Sequence, residues 1–574
     1  MVKKLLSYVK EYKLPSILAP FFIACEVVME VLIPYMMTKI VSAAENNAFY
    51  ELLSFGGYMI LMSLCSLAFG IASGTCAARA GMGFSKNLRK GMFESIENFS
   101  FSNIDKFSTS SLITRQTTDV NNVQMAYMMS LRMMIRSPLM MIGGMVMAFS
   151  IAPDIAWIFI LAIPIIGIAL LIISFCAFPK FRAMFKGYDK MNAGVQENLI
   201  GIRVVKAFVR GDYETNKFKK VSGNLMNLQM KAETIIIFTS PILQLGIYIT
   251  TLVILGVSGN KVAANEMEIT SIMALMTYIM QILMSLMMLS MVVMYMVIAK
   301  ESGDRIVEVL NEKPSITDEN SDPSIAPEDG SIEFRDVNFA YAGTVGAPYA
   351  LENVNLSIKS GETIGIIGGT GSSKTTLVQL IPRLYDATEG EVLVGGHNVK
   401  DYKIHTLRDS VAMVLQKNVL FSGTIKENLL WGDENATDEE IVDACKSAQA
   451  HDFIESFPDG YETDLGQGGV NVSGGQKQRL CIARALIKKP KIMILDDSTS
   501  AVDTATDAKI RKAFKEKLSD MTVIIIAQRI ASIEDADKII VLDDGKIDAI
   551  GTHDQLMATN EIYREVAESQ KKGE

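Results

Sequence analysis

The chain has 574 residues, which is too long for one ordinary domain. Hydrophobic residues make up 49% of it, a high share for a soluble protein, and the excess lies before about residue 300. A net charge of −9 argues against a nucleic-acid partner. The six cysteines are scattered without a C-x-x-C pair, so we expect small buried side chains rather than metal ligands or disulfides.

Six apolar stretches in the first half are each long enough to cross a bilayer, which takes about 20 helical residues. They lie near 15–41, 54–79, 128–151, 155–178, 233–257 and 268–298. Each must be helical, because an open strand would leave backbone groups unpaired in lipid. The first follows Lys3 and Lys4 and lacks a small-residue cleavage site, so we interpret it as a retained span and not as a signal peptide.

Basic residues indicate the orientation of these spans. They precede the first span and follow the second and fourth, whereas the other connections are short and poor in such charge. By the positive-inside rule, both termini are predicted to be cytoplasmic. The two inner connections, near 80–127 and 179–232, are long and helical in pattern. We therefore expect the helices to continue below the membrane, with their lowest points near 101–111 and 201–211.

Two groups of side chains inside the predicted spans are unusual for lipid-facing helices. Glu26 and Glu30 lie four residues apart, on one helical face. They predict either a site for cations or a proton-sensitive gate, or else a structural pair hydrogen-bonded to a neighbouring helix. The sixth span is rich in methionine, which suits surfaces that bind varied apolar ligands but also suits lipid contact and helix packing. These methionines are Met273, Met276, Met280, Met284, Met287, Met288, Met291, Met294 and Met296.

The stretch 311–330 is rich in Pro, Asp, Glu and Ser, and we interpret it as a linker. After it, Ile332–Phe339 alternates apolar and polar residues as a half-exposed strand does. Strands and helices then interchange to the end of the chain, which is typical of an α/β domain. The sequence therefore predicts an all-α transmembrane domain with six helices over 1–310, followed by an α/β domain over 331–574.

A glycine-rich motif follows a strand-like stretch in this second domain and opens a helix. It consists of Gly368, Gly369, Thr370, Gly371, Ser372, Ser373, Lys374 and Thr375, with Thr376 as a further nucleotide-binding residue. This context predicts a P-loop, in which backbone N–H groups hold phosphates, Lys374 reaches the β- and γ-phosphates, and Thr375 binds Mg²⁺. Ser373 stands where the pattern has glycine, and we expect it to fit if its φ is negative and its side chain points away.

Further motifs follow in order, and together they resemble the ATP-binding cassette (ABC) exporter family over nearly the whole chain. Ser473, Gly474, Gly475 and Gln476 resemble the family's signature motif, and a six-span domain fused ahead of one cassette resembles a half-transporter. The segments 108–120 and 197–208 resemble the coupling regions of these exporters. The second domain is thus identified as a nucleotide-binding domain with ATP and Mg²⁺ as cofactors.

The resemblance implies a role for each matching residue. Tyr341 would stack on adenine, Gln416 would contact Mg²⁺ and the attacking water, and Asp496 would hold Mg²⁺. A further loop would cross to the opposite site in the dimer; it consists of Ser500, Ala501, Val502 and Asp503. In this family each ATP is held by the P-loop of one chain and by the signature motif of the other.

Two residues depart from the family pattern at the catalytic positions. Asp497 stands where a glutamate is usual, and Gln528 stands where a histidine is usual. Aspartate is one methylene shorter, and glutamine carries no positive charge, so we expect slow hydrolysis with intact binding. Because the signature motif is intact, the chain is predicted to pair with a different subunit that has a competent catalytic set.

The sequence thus predicts ATP-driven export of small apolar or cationic compounds, of the multidrug type, by a heterodimer in a bacterial plasma membrane. Alternatives are an exporter of lipid or peptide, a homodimer with slow ATPase activity, and a nucleotide-gated channel or regulator. The absence of a peptidase domain before the first span weakens peptide export, and the absence of a regulatory insertion after the cassette favours a pump.

Overall fold

A computed structural model describes residues 1–264, 266–319, 321–341, 348–497, 503–517 and 520–573. The chain divides into two compact units. The membrane unit comprises Met1–Glu97 and Thr109–Glu312, and the C-terminal unit comprises Asn98–Ser108 and Lys313–Glu574. A short inner segment of the first half therefore belongs with the second half.

The first half of the chain is helical. A 3-10 helix covers Ser7–Tyr12 and a π-helix covers Arg115–Asp119. The α-helices are α1 (Val2–Leu6), α2 (Lys13–Glu45), α3 (Phe49–Glu97), α4 (Phe101–Phe107), α5 (Thr109–Thr114), α6 (Val120–Ile151), α7 (Pro153–Ile200), α8 (Ile202–Ala207), α9 (Gly211–Ile236), α10 (Thr239–Ala263) and α11 (Ile269–Asn311).

Among the residues that the structure describes, six helical segments are long and apolar enough to cross a membrane, which confirms the predicted number of spans. They are Val2–Glu45, Phe49–Glu97, Thr109–Ile151, Pro153–Ile200, Gly211–Ala263 and Ile269–Asn311. Each has 43 to 53 residues, more than twice the roughly 20 residues that a bilayer requires. The excess length agrees with helices that extend beyond the membrane.

An ionic cluster joins two of the spanning helices. Arg136 on α6 donates hydrogen bonds to the carboxylates of Glu26 and Glu30 on α2, with Nη2 to Oε2 of Glu30 at 2.6 Å. The second of the two interpretations, a structural pair bonded to a neighbouring helix, is thus the one that the structure favours. Arg132 lies one turn earlier on α6, and within the described residues its buried Nε has no hydrogen-bond acceptor.

The cysteines are all free, as expected from their scattered positions. Cys445 and Cys481 are buried in the C-terminal unit. The expectation of burial is wrong for Cys176, which is exposed on α7, a long and strongly apolar helix whose outer face does not pack within the unit.

The C-terminal unit contains two sheets and several short helices. The strands are β1 (Ile332–Phe339), β2 (Leu351–Ile358), β3 (Thr363–Gly368), β4 (Glu389–Val394), β5 (His397–Asn398), β6 (Val411–Val414), β7 (Ile492–Asp496), β8 (Thr522–Ile526), β9 (Lys538–Asp543) and β10 (Lys546–Gly551). The helices are α12 (Lys374–Gln379), α13 (Ile404–Ser410), α14 (Ile425–Leu429), α15 (Asp438–Ser447), α16 (His451–Glu455), α17 (Gly474–Ile487), α18 (Thr504–Lys517), α19 (His553–Thr559) and α20 (Glu561–Gly573).

The larger sheet positions the nucleotide motifs. Its strand order is β10-β9-β3-β8-β7-β6, and all neighbours in it are parallel except β9 and β10. Every residue of β7 and β8 is buried, as continuous apolar strands covered on both faces must be. The carboxyl ends of parallel strands meet at one edge, so the segments that follow β3, β6, β7 and β8 converge there. The smaller, antiparallel sheet has the order β2-β1-β4-β5.

Helix α4 is the inner segment that packs within the C-terminal unit. The Phe101 ring meets the Tyr385 ring edge to face at 6.0 Å, and the Tyr385 hydroxyl donates to Asp105 Oδ2 at 2.6 Å. Burial and the Asp105 carboxylate raise the pKa of Tyr385. The sequence suggested 108–120 as a coupling region, but the residues from Thr109 onward belong to the membrane unit. The helix that packs within the C-terminal unit is α4, which ends just before this segment.

Candidate nucleotide-binding site

The glycine-rich loop connects β3 to α12 at the convergent edge of the larger sheet. A Cβ at Gly368 would lie 2.1 Å from the backbone oxygen of Leu542, so only glycine fits at the end of β3. Gly371 has a φ of +88°, which also favours glycine. The loop therefore has the strand–turn–helix geometry of a P-loop, with Gly369 and Thr370 between these two glycines and Ser372 directly after them.

Ser373 has a left-handed backbone, with φ +66° and ψ +25°. The expectation that it would fit with a negative φ is therefore wrong. The turn into α12 requires a positive φ at this position, which explains why the P-loop pattern has glycine there. A left-handed non-glycine residue costs on the order of 1 to 3 kcal/mol, so the loop keeps its shape against a local strain.

Lys374 folds across the loop that precedes it. Its Nζ donates to the backbone oxygens of Gly368 at 2.9 Å and Gly369 at 2.7 Å, and to Ser372 Oγ at 3.2 Å. Burial lowers the pKa of this ammonium, and the carboxylates of Asp496 and Asp497 oppose that shift. The positive charge thus lies inside the loop, where phosphate oxygens would replace carbonyl partners.

Thr375 and Asp496 present two oxygen ligands to one point. Thr375 Oγ1 donates to Asp496 Oδ1 at 3.0 Å, and the Asp496 side chain at the end of β7 is 2% exposed. Burial raises the pKa of Asp496, Asp497 raises it further, and the Thr375 hydrogen bond opposes both. A hydroxyl and a buried carboxylate are the hard oxygen donors that Mg²⁺ prefers, so these residues fit the predicted metal.

Asp497 is held by two of the glutamines that the sequence singled out. Its Oδ2 accepts from Gln528 Nε2 at 2.6 Å and from Gln416 Nε2 at 3.4 Å. Asp497 also has a left-handed backbone, with φ +48°, and its side chain is buried. The two unusual residues, Asp497 and Gln528, are therefore partners of each other. Sequence reasoning treated them as separate substitutions.

Tyr341 lies beside the P-loop helix. Its hydroxyl and Thr376 Oγ1 are hydrogen-bonded at 2.9 Å, and its ring meets the rings of Phe339 and Tyr385 edge to face. The Tyr341 side chain is partly exposed, as an adenine-stacking ring must be, while Thr376 is buried. The structure thus places Thr376 against the tyrosine, although we predicted it as a nucleotide-binding residue of the loop itself.

The signature motif forms the N-terminus of α17. Ser473 Oγ accepts from Gln476 N at 3.3 Å, and Gln476 Oε1 accepts from Ser473 N at 2.8 Å, so the two residues form a capping box. Gly474 and Gly475 are the first two helical residues and carry no side chain over the helix end. Backbone N–H groups at such an end are donors for an anion.

The loop after β7 is described only in part. Asp503 caps α18 by accepting from Thr506 N at 2.9 Å, and this bond lowers the pKa of the Asp503 carboxyl. Ser500, Ala501 and Val502 lie outside the described residues.

Sequence reasoning missed two residues that contact the site's own residues. Tyr385 was missed because an aromatic residue after a helix carries no distinctive pattern. Gln570 was missed because it lies 42 residues after Gln528, yet its Nε2 donates to the Gln528 backbone oxygen. Gln570 follows Ala567 by three residues and Tyr563 by seven, and both of these residues are buried. This helical spacing places Gln570 on the packed face of the helix, which was the one pattern that could have indicated a contact.

A six-span helical unit followed by a P-loop α/β unit with a capped signature helix defines a membrane transporter half with its own ATP-binding cassette. Residues 16–286 match the family described as ABC transporter transmembrane region, and residues 351–500 match the family described as ABC transporter. The chain belongs to the ABC transporter family.

Relatives and a solved structure agree with this assignment. The chain is 39% identical to the uncharacterized ABC transporter ATP-binding protein YfiB of Bacillus subtilis, over 99% of this chain and 98% of that protein. It is 32% identical to an ATP-dependent lipid A-core flippase of Desulfotalea psychrophila, over 85% of this chain and 84% of that protein. Its fold is similar to that of a bacterial Atm1-family ABC exporter with ATP bound, with a TM-score of 0.83, 22% identity and 98% of each chain covered.

The chain is thus a multi-pass membrane protein, a half-transporter with an ATPase domain fused to its transmembrane region.

Proposed function

We propose that this chain is one subunit of a heterodimeric exporter. Its own P-loop site binds Mg-ATP and hydrolyses it slowly, while its signature motif completes the competent site of a different subunit. The observation that carries the proposal is the Asp497 carboxylate, which is buried and held by Gln528 at 2.6 Å. Both chain termini and the cassette are proposed to be cytoplasmic.

Hydrolysis of ATP requires a water molecule placed in line with the γ-phosphate and a group that orients it. Asp497 is one methylene shorter than the glutamate usual at this position, and its carboxylate is already bonded to two amides. A displacement of about 1 Å in such a group costs about a hundredfold in rate. Gln528 supplies a hydrogen bond without the positive charge that a histidine can carry.

The signature helix supports the second half of the proposal. Ser473 and Gln476 form a capped N-terminus, and Gly474 carries no side chain that would keep an anion from this helix end. Nothing in this segment departs from the family's motif, so it is suited to a γ-phosphate held by another chain.

Helix α8 and its flanks support a second chain in the assembly. Several apolar side chains there are strongly exposed, and α8 buries none of its residues. The exposed fractions are 65% for Leu199, 79% for Ile200, 60% for Val204, 74% for Phe208 and 88% for Val209. Apolar residues clustered on a polar inner connection are costly in water, so we infer that the cassette of the partner subunit covers them.

The cargo is proposed to be a small apolar compound. The most exposed methionines of α11 fall on one helical stripe: Met273, Met280, Met284, Met288 and Met291. Such a stripe offers a polarizable and adaptable apolar surface. A cationic cargo is less favoured than the sequence suggested, because Arg136 bonds both glutamates of α2 and offsets one of their two negative charges.

Lipid transport is a second candidate cargo class. Two relatives that are 32% and 30% identical to this chain are named ATP-dependent lipid A-core flippases. Arg132 adds a second positive charge beside Arg136, Glu26 and Glu30, so the four side chains carry no formal net charge, and Arg132 has no ion pair of its own in the described structure. Uptake of apolar dyes and of labelled lipids into inverted vesicles separates the two classes.

ATPase activity of the purified chain, alone and after co-expression with a second half-transporter that has the usual catalytic glutamate and histidine, tests the heterodimer. We expect activity near the background for the chain alone and robust activity for the pair. The combined change of Asp497→Glu and Gln528→His raises the activity of the chain alone. Strong activity of the unmodified chain alone would mean that Asp497 and Gln528 suffice in a homodimer, and would overturn the proposal.

A further inference from the structure

The segment that carries Gln528 leaves the larger sheet with few backbone contacts. Its last bonds within the sheet are those of Ile526 O, which accepts from Asp497 N at 3.0 Å, and of Ala527 N, which donates to Ile366 O at 3.2 Å. Gln528 and Arg529 are then exposed before the turn that begins at Ile530. The reach of the Gln528 side chain therefore depends on what fixes its backbone beyond Ala527.

One side chain on the last helix supplies that fixed point. Gln570 Nε2 donates to the backbone oxygen of Gln528 at 2.7 Å, and Gln570 Oε1 accepts from the backbone N–H of Ile530 at 2.8 Å. A single amide thus bonds both sides of Arg529, through one donor and one acceptor. Two bonds in fixed relative geometry restrict both the position and the rotation of the segment.

Helix α20 is itself firmly anchored, so Gln570 is a rigid support. Tyr563 and Ala567 are 0% and 2% exposed, and Gln570 lies on the same helical face. The Tyr563 ring hydroxyl bonds His553 Nδ1 at 2.8 Å, and Asn560 Oδ1 accepts from Tyr563 N at 2.8 Å. The amide group therefore projects from a packed helix toward the exposed segment.

We propose that Gln570 is a positioning residue, which sets the reach of the Gln528 amide toward Asp497 and toward the γ-phosphate of bound ATP. The inference rests on the proposed role of Gln528 in hydrolysis. It makes the C-terminal helix part of the hydrolytic apparatus, although this helix carries none of the nucleotide motifs. Gln570 acts on the rate of turnover and leaves ATP binding unchanged, because Tyr341 and Lys374 hold the nucleotide independently.

The first experiment is amide hydrogen exchange on the full purified chain with Gln570→Ala. Loss of one hydrogen bond of ordinary strength should speed exchange at Ile530 about threefold to tenfold. Peptides from β7 should not change. Glu568→Ala alters an exposed residue of the same helix and serves as the control for general loosening. Unchanged exchange at Ile530 in Gln570→Ala would overturn the proposal.

The second experiment measures single-turnover hydrolysis by the same preparations. Gln570→Ala should lower the single-turnover rate about threefold to tenfold, while the ATP concentration that gives half of the maximal rate should not change. Gln570→Glu keeps the acceptor for Ile530 but loses the donor to Gln528, so its effect should be intermediate. In a Gln528→Ala background, Gln570→Ala should have no further effect. An equal loss in both backgrounds shows that Gln570 does not act through Gln528, and the proposal is then wrong.

The two measurements also separate this inference from the function on which it rests. If Gln528→Ala leaves turnover unchanged, the proposed role of Gln528 is wrong and the positioning role of Gln570 in hydrolysis is overturned with it. Faster exchange at Ile530 would in that case still identify the contact as structural.

Discussion

The P-loop half and the signature half of the C-terminal unit depart differently from what ATP hydrolysis requires. In the P-loop half, Ser373 adopts a left-handed backbone, and Asp497 is bonded to Gln528 at 2.6 Å. In the signature half, Ser473 and Gln476 cap α17 reciprocally and the two glycines leave the helix end open. The P-loop half thus contains a strained residue and two unusual catalytic residues, whereas the signature half has a regular helix N-terminus.

The difference shows that binding and chemistry depend on different features of one fold. Under the proposed function, phosphate binding depends on backbone donors and on the Lys374 ammonium, and the strained Ser373 leaves both in place. Under the proposed function, hydrolysis depends on side-chain geometry at the ends of β7 and β8, and the shortened carboxylate of Asp497 slows it. A chain can therefore lose one and keep the other, provided that a second subunit supplies the missing chemistry.

The largest expected effect is a difference in ATPase activity between a variant of the signature half and a variant of the P-loop half. In the complex with its partner, Gly474→Asp should reduce ATPase activity about a hundredfold or more, because a carboxylate at the start of α17 repels a phosphate there. Asp497→Asn in the same complex should change activity less than about twofold, because the partner's site performs the hydrolysis. Steady-state ATPase assays of both variants measure the contrast, and equal losses would contradict it.

The contact between Asp497 and Gln528 should appear as an energetic coupling. In the chain alone, Asp497→Glu and Gln528→His together should raise turnover by more than the product of the single changes. The coupling should be about 0.5 to 3 kcal/mol, since residues in contact are not independent. A double-mutant cycle on single-turnover rates measures this value. Thr375→Ser with Gln528→His is a control pair without such a contact, and equal coupling in both pairs would rule out the Asp497–Gln528 explanation.

Removal of the strain at Ser373 should stabilise the fold modestly. Ser373→Gly relieves a left-handed serine but adds freedom to the unfolded chain, so we expect a net gain of about 1 kcal/mol. The Tm of the purified chain without nucleotide measures it. Gly371→Ala, at φ +88°, should lower the Tm instead. A lower Tm for Ser373→Gly would indicate that the hydroxyl makes a compensating contact.

The smallest effect concerns the pH dependence at Asp496. Burial raises the pKa of this carboxyl, so the folded chain binds the proton more tightly than the unfolded chain. Without Mg²⁺ and ATP, its contribution to stability is greatest below the ordinary carboxyl pKa and declines as pH rises toward the raised one. Asp496→Asn should remove this decline from Tm profiles in acid. Asp503→Asn is the matched control. Because the pKa of Asp503 is lowered, this carboxyl contributes more to stability as pH rises, so its removal should change the Tm profile in the opposite direction.

Local chemistry accounts for what the sequence predicted correctly. The six spans could be predicted because each is a run of apolar residues long enough to cross a bilayer. Lipid offers the backbone no hydrogen-bond partners, so each run must be helical whatever its tertiary contacts. The P-loop follows from glycines at fixed offsets between a strand and a helix, because only backbone without Cβ fits beside Leu542. These constraints act over a few neighbouring residues, so they are visible in the chain alone.

Tertiary structure decided the contacts between residues far apart in the chain. Arg136 meets Glu26 and Glu30 across 106 to 110 residues, Asp497 meets Gln528 across 31, and Gln570 meets Gln528 across 42. Each partner alone is an ordinary polar residue with no pattern around it. Helix packing and sheet order bring them together. The sequence by itself determined the class of protein and the motifs, while the ion pairs between the membrane helices and the geometry at Asp497 arose only from folding.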